Sequence, residues 1–287
     1  MFNKRHIVRT IAATVSILAL SFTAACGSGQ STASNSTDSD DITQQTYKPG
    51  KLTIATGQPA YEPWVMNDKP ESGEGYEAAV AYAVADKLGF KKSDVVWTRT
   101  AFDTAIAPGA KDWDFNIQQF GITDERKKAV DFSSSYYNDS QSVVVKKDSK
   151  FANATKVSDL KDATVGVMVG TLAYDYAKAN IKDDIQTFND DAALAQALDA
   201  GQIDVLVTST VECVYMVQSE QVKDSKVLGR LSDSEDKSGM GIVLPKDSKL
   251  TAAVTKAVDD LNADGTIKKL QDKWLAEYTT DLTELKK

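Results

Sequence analysis

Histidine is almost missing from this 287-residue chain: His6 is the only one, and it lies in the leader described below. Without histidine, no serine–histidine triad, imidazole general base or histidine metal site can be built. Cysteine is nearly as scarce. Cys26 and Cys213 are too few for a four-cysteine zinc site or a disulfide framework. Positive charge is short as well. The net charge is −8, and loss of Lys4, Arg5 and Arg9 with the leader takes it to −11. Such a surface repels nucleic acid and offers anionic lipid no cationic face. No metal or cofactor is expected, and hydrolysis is left to carboxylates, lysines and hydroxyls. A binding protein fits better than a hydrolase. Hydrophobic residues at 42% and charged residues at 26% are an ordinary globular balance, and the length beyond the leader suits one large or two medium domains.

The N-terminus has the layout of an export signal. Residues 1–10 are basic, and residues 11–25 are apolar and small. The apolar run is shorter than the roughly 20 residues that a membrane-spanning helix needs. Ala24-Ala25-Cys26-Gly27 resembles a bacterial lipobox, in which Cys26 is the lipid-attachment residue, although Thr23 stands where Leu is usual. The alternative is ordinary cleavage with Cys26 a spectator. Residues 27–49 are Ser, Thr, Gly, Asn, Asp and Gln with little apolar content, so 26–50 is expected to be a lipidated flexible tether.

From Lys51 onward, short apolar runs alternate with stretches of helical period. Strands are expected at 52–56, 95–100, 114–120, 142–147, 163–170, 184–188, 203–209 and 239–245. Helices are expected at 76–90, 172–180, 191–201, 210–218, 249–265 and 266–278. The alternation implies an α/β fold with mostly parallel sheets.

Six segments, in order, resemble the bacterial extracellular solute-binding proteins of family 3, the polar amino acid receptors of ABC importers. They are AYEPW (60–64), GYEAAVAYAVADKLG (75–89), ITDERKKAVDFSSSYY (122–137), VGVMVGT (165–171), ALDAGQIDVLV (197–207) and LNADGTIKKLQDKW (261–274). The resemblance implies a two-lobed periplasmic-binding-protein-like fold of type II, with ligand in the cleft between lobes. Lobe one would span 51–144 plus 242–278, lobe two 145–241, and 279–287 would be a tail.

The resemblance also assigns a site. Arg126, in a T-x-x-R segment, would clamp the ligand carboxylate with its forked guanidinium; on sequence alone, a solvated arginine at a helix start is the competing reading. Gly170-Thr171-Leu172 closes a strand and opens a helix, which suits an anion, although a plain N-cap is the commoner meaning. Tyr61 and Phe102 match ring positions that line the ligand, and Trp64 is expected beneath the cleft. Gln119 and Gly121 sit just before the arginine turn, and Gln118 is expected on the opposite strand face. At Ser209 the family usually carries an Asp that pairs the ligand ammonium. Glu212, Asp103 and Glu62 are nearby substitutes, and Asp204 reads as structural. If no acid replaces it, the cleft discriminates weakly between an amino acid and its deaminated analogue. Cys213, in an apolar helical stretch, reads as a buried small hydrophobe.

The expected function is therefore an extracytoplasmic, lipid-anchored, monomeric receptor. It captures a small carboxylate-bearing solute, most simply an amino acid, for ABC permease subunits, with no catalytic residue. A dehydratase-like enzyme on the same fold and a ligand-presenting sensor are the alternatives.

Overall fold

The computed structural model describes residues 41–279 and 282–287. The expected signal and Cys26 lie outside them. The β-branched run LTIAT forms β1 (Leu52–Thr56), buried at every position. It is flanked by two parallel neighbours, β2 (Val95–Arg99) and β3 (Phe115–Asn116); beyond β3 comes β10 (Met240–Pro245), which runs antiparallel, and then β4 (Val130–Tyr137), antiparallel to β10 and so in the direction of β1. The order in this five-stranded sheet is β2-β1-β3-β10-β4. Helices α1 (Tyr76–Lys87), α6 (Thr251–Ala263) and α7 (Thr266–Trp274) bury one face, with Leu52, Ile54, Val80, Val84, Ile242, Leu244, Val254 and Val258 in one core. Gly89, at φ +86°, follows the end of α1 as expected.

The second sheet has six strands in the order β11-β9-β5-β8-β6-β7. They are β11 (Glu284–Leu285), β9 (Ser225–Leu231), β5 (Gln141–Lys146), β8 (Val205–Ser209), β6 (Val165–Met168) and β7 (Gln186–Phe188). Its central strands show why a period-two pattern can hide inside a continuous apolar run. Val143, Val145, Val205 and Val207 face one core with α3 (Leu172–Asn180). Val144 and Leu206 face another, packed by α4 (Asp191–Asp199) and α5 (Thr210–Gln218) through Leu194, Leu198, Cys213 and Met216. Both faces are covered, so both carry apolar side chains.

Several expectations are corrected. The mostly parallel sheets are not among them: only β10 in the first sheet and β5 in the second, the strands by which the chain enters each lobe from the other, run against the rest. The crossings lie at 138–140 and 232–239, so the expected lobe limit after 144 would cut β5 in two, and that after 241 would cut β10. The tail is not free: β11 pairs with β9 and buries Leu285 in the second lobe. The tether reading fails for 41–50. Asp41 caps a short 3-10 turn at Ile42–Gln44, Ile42 packs on the first core, and the Tyr47 N–H donates to Asp114 at 2.6 Å.

Candidate ligand-binding cleft

Polar side chains gather where the parallel strands end. β1 runs into Gly57–Tyr61, β2 into Ala101-Phe102, and β3 into Gln118–Arg126. On the other sheet, β6 runs into Thr171-Leu172, β7 into Asn189–Asp191, and β8 into Ser209. All these segments line one cavity of about 230 Å³ between the two sheets. Carboxyl ends of strands in α/β sheets are where ligands bind, because the chain there turns away and leaves backbone groups unpaired.

Arg126 is the cationic side chain of the lining. The expected helix is only a 3-10 turn, Arg126–Lys128, and Thr123 Oγ1 accepts the Arg126 N–H at 3.1 Å as a cap would. The guanidinium donates to the Gly121 carbonyl at 2.6 Å and, across the cleft, to the Gly170 carbonyl at 2.8 Å. Its carbon lies 5.5 Å from the Phe102 ring centroid, and Phe102 in turn stacks on Phe120 at 4.6 Å. Burial lowers its pKa, opposed by Asp175 and Asp236. Among the described residues no carboxylate forms an ion pair with Arg126. Gly121 is the point of closest approach: a Cβ there would stand 2.5 Å from Leu172 Cδ1 and 2.8 Å from Asp236 Oδ2.

The other end of the cavity is acidic. Asp139, Asp190, Asp191 and Glu212 line it, and Asp236 lines it nearer Arg126. Asp139 is 8% exposed; its Oδ1 accepts the Ser140 N–H at 2.7 Å, while Oδ2 is buried without a hydrogen-bond partner. Burial pushes Asp139 up to about 6, against the Ser209 hydroxyl and the first N–H groups of α5 beside it. Glu212 is 4% exposed and accepts the indole N–H of Trp64, from the opposite lobe, at 2.9 Å. Burial and then Asp191 raise its pKa far above the ordinary carboxyl range. Asp191 accepts from the Thr208 hydroxyl at 3.3 Å and is likewise raised by burial.

The expected residues fall into three groups. Tyr61, Phe102, Gly121, Arg126, Thr171, Leu172 and Ser209 all line the cavity. Tyr61 also reaches the second lobe, its hydroxyl accepting the Ala192 N–H at 3.4 Å. Gly170 contributes its carbonyl to Arg126 but does not line the cavity. Thr171 presents no outward hydroxyl: it donates to the Met168 carbonyl at 2.8 Å and accepts the Tyr174 N–H at 3.2 Å, which is a plain N-cap.

Gln119 and Gln118 exchange their expected roles. Gln119 takes φ +50°, so strand alternation no longer applies. Its backbone N–H (2.7 Å) and side-chain amide both donate to the fully buried Glu77, which also accepts from the Tyr136 hydroxyl. Burial pushes Glu77 up to about 7. Gln119 edges the cavity while its amide is committed behind it; Gln118 lines the cavity with Oε1 unpaired.

Ser209 caps α5, accepting the Glu212 N–H at 3.3 Å. Of its expected substitutes only Glu212 lines the cavity. Glu62 is bonded to the Asn67 N–H and the Tyr215 hydroxyl, and Asp103 is exposed at the start of α2 (Phe102–Ile106). Asp204 accepts the Thr164 N–H at 2.8 Å, a structural role. Asp139, Asp190, Asp191 and Asp236 were not anticipated as lining. One signal existed in sequence: Asp190-Asp191 directly follows a strand and opens a helix.

The family model for bacterial extracellular solute-binding proteins, family 3, matches residues 52–277. The chain belongs to that family. Curated relatives include the L-cystine-binding protein TcyJ of Escherichia coli K12, 29% identical over 77% of this chain and 81% of the relative. The L-arginine-binding protein of Pseudomonas aeruginosa is 28% identical over 80% and 88%. Among solved structures, an ancestral arginine-binding protein bound to arginine aligns with a TM-score of 0.67 at 31% identity, over 78% of this chain and 98% of that one. The ancestral amino acid-binding protein AncCDT-1, a precursor of cyclohexadienyl dehydratase, aligns at 0.66 and 30%, over 79% and 96%. This family 3 protein thus has the two-lobed fold of amino acid receptors, and these relatives are named as amino acid-binding proteins.

Proposed function

We propose that this family 3 protein captures an α-amino acid in the interlobe cleft and hands it to an ABC permease. One observation carries the reading: the cleft has a guanidinium without a carboxylate partner at one end and carboxyl groups without a cation at the other. A zwitterion complements both ends, with its carboxylate forked on Arg126 and its ammonium toward the acids. Five lining carboxyls against one arginine favour a ligand with a second cationic group. Arginine and cystine, after which relatives are named, each carry two. Tyr61, Phe102 and Gly121 would enclose the ligand's body, and the α3 N-terminus at Thr171-Leu172 would face its carboxylate. Catalysis is not required of the chain. The leader and lipobox-like segment support a lipid anchor on Cys26 at the outer face of the membrane.

A dehydratase reading draws on the likeness to a dehydratase precursor and on Glu212, a buried carboxyl that could keep its proton near neutrality. Mass spectrometry of small molecules released by denaturing the purified protein separates the two. An unaltered amino acid supports the receptor, and a dehydrated product supports the enzyme.

A further inference from the structure

Asp139, Asp191 and Glu212 reach the cavity from three places: the first interlobe crossing, the start of α4 and the first turn of α5. Each carboxyl is engaged on one side only. Asp139 holds the Ser140 N–H, Asp191 the Thr208 hydroxyl, and Glu212 the Trp64 indole. Asp139 Oδ2, in a side chain more than nine-tenths buried, has no partner within hydrogen-bond distance, although the Ser209 hydroxyl and the first N–H groups of α5 lie beside it. The groups around the three add no positive charge. Asp190 flanks Asp191, Glu77 stands behind Glu212, the Tyr61 and Tyr137 hydroxyls and the Cys213 thiol border them, and Arg126 is turned to Gly121 and Gly170.

We propose that Asp139, Asp191 and Glu212 form one cation subsite that releases a proton to solvent when a ligand's ammonium or guanidinium group enters. Three carboxyls on one cavity, Asp139 and Glu212 buried and Asp191 half-buried, cannot all ionise at low cost, so the cluster shares at least one proton while no cation is near. Burial pushes all three carboxyls upward, and Asp191 and Asp139 raise Glu212 further, which agrees with a retained proton. An entering cation reverses the sign of the local potential, and the shared proton leaves. Asp139 then supplies the charge that Ser209 lacks. The subsite rests on the amino acid reading above, and the source of the cation, α-ammonium or side chain, is left to the ligand series.

The test is titration calorimetry of the whole exported chain in two buffers of different ionisation enthalpy, from pH 5 to 8, with L-lysine, L-norleucine and the deaminated analogue of lysine. Net release of about one proton is expected with L-lysine. Its affinity should rise by up to about tenfold per pH unit while the cluster is titrating. Release with norleucine assigns the α-ammonium to the subsite, and release with the deaminated analogue assigns the side-chain cation; either supports the proposal. In Glu212→Gln and, separately, Asp139→Asn, the released proton should fall toward zero, and one of the two suffices if the other does not fold. Binding without proton exchange at every pH, or release unchanged in both folded variants, overturns the subsite and leaves the receptor reading standing. Failure of every amino acid to bind overturns both.

Discussion

The two lobes bring opposite chemistry to one cavity. The first contributes Arg126, the Phe102 ring and the Gln118 amide, and its buried Glu77 is spent on Gln119 and Tyr136 behind the cleft. The second contributes Asp191 and Glu212, and the crossings between them add Asp139 and Asp236. Neither lobe holds a complementary pair. A ligand charged at only one end satisfies one lobe and leaves the other desolvated, so charge separation itself becomes a condition for holding the lobes together. Direct contacts across the cleft depend on several of the same residues: Arg126 to the Gly170 carbonyl, Trp64 to Glu212, and Tyr61 to the Ala192 N–H, with Tyr215 to Glu62 besides.

The largest break in that comparison comes from the cationic side. Arg126→Ala should weaken amino acid binding by about 2–5 kcal/mol, roughly thirtyfold to several thousandfold, because a buried ligand anion loses its partner. Arg126→Lys should recover only part of this, since an ammonium cannot form the fork. Calorimetry on both variants checks the pair, and near-native affinity for the alanine variant removes Arg126 from the site.

The acidic side should behave in the opposite sense without ligand. Burial holds the Asp139 carboxyl at about 6, above the ordinary value of 3.8. A raised acid binds its proton more tightly when folded, so stability is lost as pH rises from about 4 to about 6 and stays lower above that. Asp139→Asn should therefore stabilise the ligand-free protein by about 2 kcal/mol at pH 7–8 and have little effect below pH 4. Denaturant unfolding at the two pH values is the measurement; a variant less stable at pH 8 contradicts the assignment.

Trp64→Phe keeps the ring that packs against Tyr76 and Tyr137 and removes the donor to Glu212. It should cost about 1–3 kcal/mol, because a buried carboxyl loses its hydrogen bond. Thermal denaturation near pH 7 reads the loss, and an unchanged midpoint would mean that Glu212 holds its proton without the indole. The smallest effect is expected of Tyr61→Phe. Its hydroxyl contact spans 3.4 Å, and the ring still lines the cavity, so affinity should change by less than about 1 kcal/mol. A larger loss would mean that the hydroxyl meets the ligand itself.

What could be read from sequence follows from what repeats. The apolar runs of β1, β5, β6 and β8 and the helix α1 announce themselves because whole faces are buried. β4 and β9 do not: VDFSSSYY and SKVLGRL alternate irregularly and are half-exposed at several positions. The arginine turn was legible because its T-x-x-R pattern is local. The acid cluster was not, since positions 139, 191 and 212 come to one cavity only after β5, β7 and β8 are assembled in one sheet. Ser209 suggested a missing charge, and Asp139, just ahead of the β5 residue that pairs with Ser209, lines the cavity beside it. The exchange of Gln118 and Gln119 turns on one positive φ that periodicity cannot foresee.

β11 has a mechanical consequence. The chain passes between lobes at 138–140 and 232–239, and the C-terminal segment makes a further passage, since Tyr278 packs on the first core and Leu285 lies in the second. Gly229 makes room for that last passage, because a Cβ there would meet the Thr283 carbonyl at 2.4 Å. Two straps between rigid bodies permit both swinging and torsion. With its two ends held on different lobes, the C-terminal segment adds a third covalent tie, so twisting one lobe against the other must also pull β11 from β9 or Tyr278 from its core.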